Sequence, residues 1–231
     1  MLRVILFDVD NTLLSFDEYV KQCMKIGFEK FRITTYKEEM FDVFNRINTN
    51  LWKSIEIGKL NIDELQKKRW NMIFESLGIS ADGIAFEKYF RDGLFESAIP
   101  VDGAIDLIKH LYGKYKLCIA SNGPYHQQVN RLKKSGMLHY FSDLFISEEI
   151  GSTKPSERFF NTCIKRLNSK TEKKITPDEI LIIGDSLSSD MQGGIQVGIR
   201  TCFYNPNNKA IPNSLKINYN VSSLNEIETV I

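Results

Sequence analysis

Three aspartates, a serine and a lysine are the side chains of this chain best placed to do chemistry, and each lies at or just beyond an apolar run. Asp8 and Asp10 end the stretch VILFDVD, Ser121 opens SNG after LCIA, Lys154 lies in GSTKPS, and Asp185 follows ILIIG. Three carboxylates brought together repel unless a cation sits among them or some are protonated. Oxygen-only ligands, few in number, suit Mg²⁺, which keeps several waters and leans on substrate phosphate for its remaining ligands. A carboxylate exposed at a strand end beside such an ion can attack phosphorus and form an aspartyl-phosphate, the role expected of Asp8. Asp10, two residues on, could protonate the leaving oxygen and then take a proton from the hydrolytic water. Charge on the transferring group would be met by the ion, the Lys154 ammonium, the Ser121 hydroxyl and backbone N–H groups of the strand-end loops.

Only a fold can bring these residues together, because 113 positions separate Asp8 from Ser121 and 31 separate Lys154 from Asp185. The runs VILF (4–7), LCIA (117–120), LFI (144–146) and ILII (180–183) lack polar alternation. Such runs suit strands covered on both faces, as in parallel sheets. Between them lie helical patterns. VDGAIDLIKHLYGKY puts Ala104, Ile105, Ile108 and Leu111 on one face, and SERFFNTCIKRL does the same with Phe159, Phe160, Cys163, Ile164 and Leu167. The alternation from residue 100 onward predicts an α/β fold, a doubly wound parallel sheet of Rossmann-like type. In such sheets ligands bind at the carboxyl ends of the strands, near the point where strand order reverses. Residues 15–95 carry helical periodicity only, rich in Phe, Trp and Lys, with a capping-box layout at Asn61 and Glu64. Gly78, Gly83 and Gly93 are expected to break that pattern toward its end. The predicted organisation is a core of residues 1–14 and 96–231 interrupted by a helical domain over 15–95. NPNNKAIPN (205–213) reads as a surface loop.

At 231 residues the chain can bury a sizeable core. Its 30 Lys and Arg against 29 Asp and Glu leave a formal charge of +1, so no lopsided field draws in nucleic acid or an anionic membrane. Cys23, Cys118, Cys163 and Cys202 are widely spaced, which argues against zinc and against a disulfide scaffold and favours a reducing compartment. The start lacks the layout of a signal peptide, and no apolar run is long enough to span a bilayer. The expectation is a cytoplasmic protein, monomeric or weakly homo-oligomeric, acting on a small molecule and on neither polymeric nucleic acid nor membrane.

DVDNT (8–12), SNG (121–123), KP (154–155) and GDSLSSD (184–190) resemble, in order and in strand context, the four motifs of the haloacid dehalogenase superfamily of phosphotransferases. A DxDxT alone is a modest signal and SNG alone carries little; four in sequence across essentially the whole chain are specific. The resemblance implies Asp8 as nucleophile, Asp10 as general acid/base and Thr12 as a support of the first loop. It implies Thr12, Ser121, Asn122 and Lys154 as the residues serving the substrate phosphate, with Lys154 also aiding catalysis. Mg²⁺ would be held by Asp8, by the backbone carbonyl of Asp10 and by Asp185, with Asp190 assisting through water or from behind the direct ligands. The 15–95 block resembles the C1-type helical cap of that superfamily, which closes over the site, excludes water and selects the leaving group. INTNLWKSIEIGKLNIDELQKKRW, SNGPYHQQVNRLKKSG and GDSLSSDMQGGIQVGIRTCFYNP resemble the pyrimidine 5′-nucleotidase-like branch, which implies a nucleoside 5′-monophosphate as substrate.

Plainer roles compete for each residue. Asp8, Asp10 and Asp185 could be caps or turn residues, Asp190 a helix cap, Ser121 a turn hydroxyl and Lys154 a solvated cation. For Lys154, the following proline favours an extended backbone that would aim the side chain inward. Trp52 and Trp70 invite a base-stacking role, but with Phe41, Phe44, Ile55 and Ile73 they also read as the core of the cap. The lysine-rich LQKKRW reads as a solvated helix face, and His110, His126 and His139 receive no role. Against an Mg²⁺-dependent nucleotide phosphatase stand a sugar-phosphate phosphatase or phosphomutase with the same machinery, and a non-catalytic binding or regulatory protein on the same fold. Dehalogenation is disfavoured, since halide needs neither a leaving-group acid nor a metal.

Overall fold

The computed structural model describes residues 1–231. In chain order, β1 (Val4–Phe7) is followed by the helices α1 (Phe16–Lys30), α2 (Glu38–Glu56), α3 (Ile62–Ser76) and α4 (Gly83–Glu96). Then come α5 (Ala104–Leu111), β2 (Lys116–Ser121), α6 (Tyr125–Lys134), β3 (Asp143–Ile146), α7 (Ser147–Ile150) and α8 (Glu157–Asn168). The chain ends with β4 (Ile180–Gly184), α9 (Gln192–Gln196), β5 (Arg200–Tyr204), β6 (Tyr219–Val221) and α10 (Ile227–Val230). It divides into two compact units, Met1–Ser15 with Ala98–Ile231, and Phe16–Ser97.

The first unit is a six-stranded sheet of order β3-β2-β1-β4-β5-β6, parallel throughout. Its strands bury both faces, which is why they lack polar alternation. Ile5 and Phe7 of β1, with Leu181 and Ile183 of β4, enter one core; Val4 and Leu6, with Ile180 and Ile182, enter the other. The helix α5 covers the first face with Ala104, Leu107, Ile108 and Leu111, while α8 covers the second with Phe159, Phe160, Cys163 and Leu167. Burying such side chains fully is worth roughly 1.5–3 kcal/mol each. Leu107, rather than the expected Ile105, joins Ala104, Ile108 and Leu111 on the buried face of α5, and Ile105 packs at the margin. Strands β5 and β6 were not among the runs expected from the sequence. The four cysteines are free and buried, and no helix is long and apolar enough to cross a membrane.

The second unit is helical throughout. Asn61 caps α3 through the Glu64 N–H while the Glu64 carboxylate accepts the Asn61 N–H, at 2.9 and 3.0 Å. Gly78, at φ +66°, lies just beyond the end of α3. Gly83 opens α4 just after the break that follows α3, whereas Gly93 does not interrupt the pattern as expected; it lies inside α4, where a Cβ would meet the Tyr19 hydroxyl at 2.6 Å. Phe28, Phe44, Phe74, Phe86 and Phe90 surround the fully buried Trp70. Trp70 is therefore core and cannot stack on a base. Arg69 beside it is buried as well, so LQKKRW is solvated only in part.

Candidate active site

The register of the sheet sets three strand ends level with one another. Phe7 pairs with Ile119 of β2 and with Ile183 of β4, so Asp8, Ser121 and Asp185 emerge beside the point where strand order reverses. Beyond β1 the chain turns at once. The N–H groups of Leu13 and Leu14 both donate to the Val9 carbonyl at 2.9 Å, and that of Asn11 donates to Leu14 at 2.7 Å. Asn11 takes φ +59°, a left-handed geometry that asparagine tolerates better than most residues. This accounts for the asparagine of DVDNT.

Asp8, Asp185 and Asp190 each offer a carboxylate oxygen to a cluster in which these oxygens lie within 4.8 Å of one another. The Lys154 ammonium donates to Asp8 Oδ1 and Asp190 Oδ1, both at 2.7 Å, and to the Ala120 carbonyl at 2.6 Å. The three carboxylates outnumber the ammonium groups beside them, an excess of negative charge that a cation would relieve. Burial has the largest influence on Asp8 and pushes its carboxyl up to about 7; Lys154 pulls it down, and Asp190 and Asp10 add to the rise. Burial works against the charge on Lys154 too, but Asp190 and then Asp8 outweigh it and hold the amine above its ordinary range.

The expected phosphate residues are used in several ways. Lys154 has all three protons engaged, so meeting a phosphate requires it to exchange one present acceptor. Asn122, expected on the phosphate, instead turns its side chain to the Lys154 backbone, accepting the N–H at 2.8 Å and donating to the carbonyl at 3.0 Å. Both ends of its amide are committed to aiming Lys154. The Lys154–Pro155 peptide is cis, and the Lys154 side chain is aimed inward as expected, buried among Asp8, Asp190 and the Ala120 carbonyl. Thr12 is fully buried and donates to Asp8 Oδ2 at 3.4 Å, bracing the carboxylate rather than facing a ligand. Asp190 is fully buried, and its second oxygen accepts the Ser186 N–H at 3.2 Å. Ser121 stands at the end of β2 and is almost completely buried.

Three participants were not foreseen. Gln128 and Arg131 on α6 grip the Asp10 carboxylate, one at each oxygen. Lys209, in the loop read as surface, brings its ammonium to 3.9 Å from Asp185 Oδ2. Its backbone is clasped on both sides by the Asn205 side chain, at 2.7 and 3.1 Å.

Gly184 makes the acidic cluster possible. A Cβ at this position would lie 2.2 Å from Asp190 Oδ2, so any side chain displaces the carboxylate that shares Lys154 with Asp8. Gly184→Ala is expected to lower kcat on the order of 10²-fold, the cost of misplacing a catalytic group by an ångström or so. Steady-state rates of the variant and the wild type would measure this loss.

The carboxylates at the strand ends of this doubly wound parallel sheet lie at its switch point, where such folds bind their ligands. Residues 2–198 match the family of haloacid dehalogenase-like hydrolases, and the chain belongs to that family. It is 35% identical to the HAD-hydrolase YfnB of Bacillus subtilis over 97% of this chain and 93% of that protein. A crystal structure of YfnB bound to magnesium aligns with a TM-score of 0.88 at 34% identity, covering 99% of this chain and 98% of that one. The chain is also 32% identical to the pyrimidine 5′-nucleotidase PynA of Streptococcus pneumoniae, over 97% of this chain and 93% of PynA. With the pyrimidine 5′-nucleotidase YjjG of Escherichia coli it shares 29% identity over 98% and 96% of the two chains.

Proposed function

We propose that this chain is an Mg²⁺-dependent phosphomonoesterase that releases orthophosphate from nucleoside 5′-monophosphates through an aspartyl-phosphate on Asp8. The observation that carries the reading is the cluster of Asp8, Asp185 and Asp190 oxygens within 4.8 Å of one another. Hard oxygen donors that outnumber the ammonium groups beside them fit Mg²⁺, and these three residues would hold it. Bound there, it would polarise the phosphoryl group and neutralise charge on the oxygens in flight.

In the first half-reaction an Asp8 oxygen bonds to phosphorus as the ester P–O bond breaks, and Asp10 gives its proton to the departing oxygen. In the second, Asp10 takes a proton from water, the water oxygen bonds to phosphorus, and the bond to Asp8 breaks to release orthophosphate. Lys154 and Ser121 supply donors to the equatorial oxygens. The likeness to PynA and YjjG favours a nucleotide, and the choice of leaving group is assigned to the helical unit Phe16–Ser97, acting as the cap. Four free, buried thiols accord with a cytoplasmic location.

A panel of phosphorylated metabolites assayed with Mg²⁺ and with EDTA tests the reading. UMP, dUMP and dTMP should lead, with no bisphosphate activator required. EDTA should lower release by about 10²-fold or more, matching the several kcal/mol that a metal contributes to such transition states, and excess Mg²⁺ should restore it. A panel led by sugar phosphates would remove the nucleotide assignment, and dependence on a bisphosphate would point to a mutase.

A further inference from the structure

Gln128 and Arg131 are both fully buried on α6, three residues apart, although glutamine and arginine are costly to bury. Their polar atoms converge on Asp10. Gln128 Nε2 donates to Asp10 Oδ2 at 2.6 Å, and Arg131 Nη1 donates to Asp10 Oδ1 at 2.5 Å. Arg131 Nη1 also donates to Gln128 Oε1 at 3.0 Å, which locks the amide. The reverse amide orientation would set Oε1 against the Asp10 carboxylate, so the network allows one rotamer. The second proton of Nε2 goes to Ser121 Oγ at 3.0 Å, and the same oxygen accepts the Gly123 N–H at 3.1 Å. With two donors filling its lone pairs, the Ser121 hydroxyl can direct its own proton only outward, as a donor.

From this convergence we infer that Gln128 and Arg131 are positioning residues for the acid–base step at Asp10. The inference rests on the acid/base reading of Asp10 given above. Its side chain is 33% exposed, so without partners it would sample several rotations. Held at each oxygen, it presents one orientation to the leaving group and later to water. An independent feature agrees: a Cβ on Gly123 would lie 2.3 Å from Gln128 Nε2, so the glycine of SNG leaves room for this amide.

The test separates acid–base assistance from fold. Dinitrophenolate leaves phosphorus without a proton, whereas the ribose oxygen of UMP needs one. Gln128→Met keeps the volume and removes the donors. It should lower kcat for UMP about 10²-fold, the range a positioned acid supplies, with KM nearly unchanged. With dinitrophenyl phosphate the first turnover should keep its rate within about threefold, because phosphorylation needs no acid there. A dinitrophenolate burst should follow, since water activation also depends on Asp10. Arg131→Lys, which retains a buried cation, should show the same pattern and serves if Gln128→Met fails to fold, as judged by circular dichroism. Equal losses with both substrates, or a change in KM alone, would overturn the inference. Asp10→Asn run in parallel distinguishes the two layers. If Asp10→Asn shows the leaving-group dependence and the α6 variants do not, positioning falls alone; if Asp10→Asn lacks it, the acid/base reading falls and takes this inference with it.

Discussion

Asp8→Asn is expected to lower kcat for every phosphate ester by a factor of about 10⁴ or more, as loss of a covalent nucleophile does elsewhere. Asparagine matches the aspartate in shape, so the loop from Asp8 to Leu14 should keep its turn, which is built from backbone bonds to Val9. The amide has no oxygen nucleophilic enough to displace an alkoxide. Lys154 would keep Asp190 and the Ala120 carbonyl as acceptors, and the penalty for burying the Asp8 charge would vanish. The melting temperature should therefore hold or rise while turnover is lost, a combination that a folding defect cannot produce. Mass spectrometry after acid quench should find a phosphorylated peptide containing Asp8 in the wild type and none in the variant. Residual activity within tenfold of wild type would place the nucleophile elsewhere.

The catalytic strands were legible because a parallel strand covered on both faces writes itself as an unbroken apolar run, as VILF and ILII do. The strand β5 was not, since Arg200 and Thr201 begin it with polar residues although Thr201 is fully buried. Three-residue β6 offers too little pattern to read at all. Asp8 and Asp185 could be found because each ends such a run. Gln128 and Arg131 were missed for a different reason. On a helix ending in Lys133 and Lys134, two polar residues read as a solvated face, and their burial depends on contacts with strand ends far away in sequence. One local sign was available: at spacings of three and four from Gln128, Arg131 and the buried Leu132 share its face. Asn122 and Thr12 show the converse limit. Their types suit a phosphate, but only coordinates reveal that one is committed to the Lys154 backbone and the other braces Asp8.

Within the helical unit, Arg69→Met is expected to cost about 3–5 kcal/mol of stability, the penalty for leaving a buried charge without its partner. Arg69 meets Glu87 with two bonds, Nε to Oε2 at 3.0 Å and Nη2 to Oε1 at 2.6 Å, and Nη1 reaches Asn48 Oδ1 at 3.1 Å. The two side chains are only 6% and 5% exposed, and the guanidinium lies 4.4 Å from the centre of the Phe90 ring. Burial raises Glu87 above its ordinary value and Arg69 only partly offsets this, so the pair recovers less than the desolvation it suffers. Removing both charges should then cost little: Arg69→Met combined with Glu87→Leu should lie within about 1 kcal/mol of wild type or above it. The sign with pH follows from the same imbalance. A carboxyl whose folded value exceeds its unfolded one near 4.5 binds its proton more tightly when folded. Stability of the single Arg69→Met variant should therefore rise as pH falls toward that value and drop as pH climbs. Urea titrations of wild type, single and double variants at two pH values measure all three effects. A single variant costing under 1 kcal/mol, or a double variant no better than the single, would mean that Glu87 is not the buried, arginine-dependent charge described here.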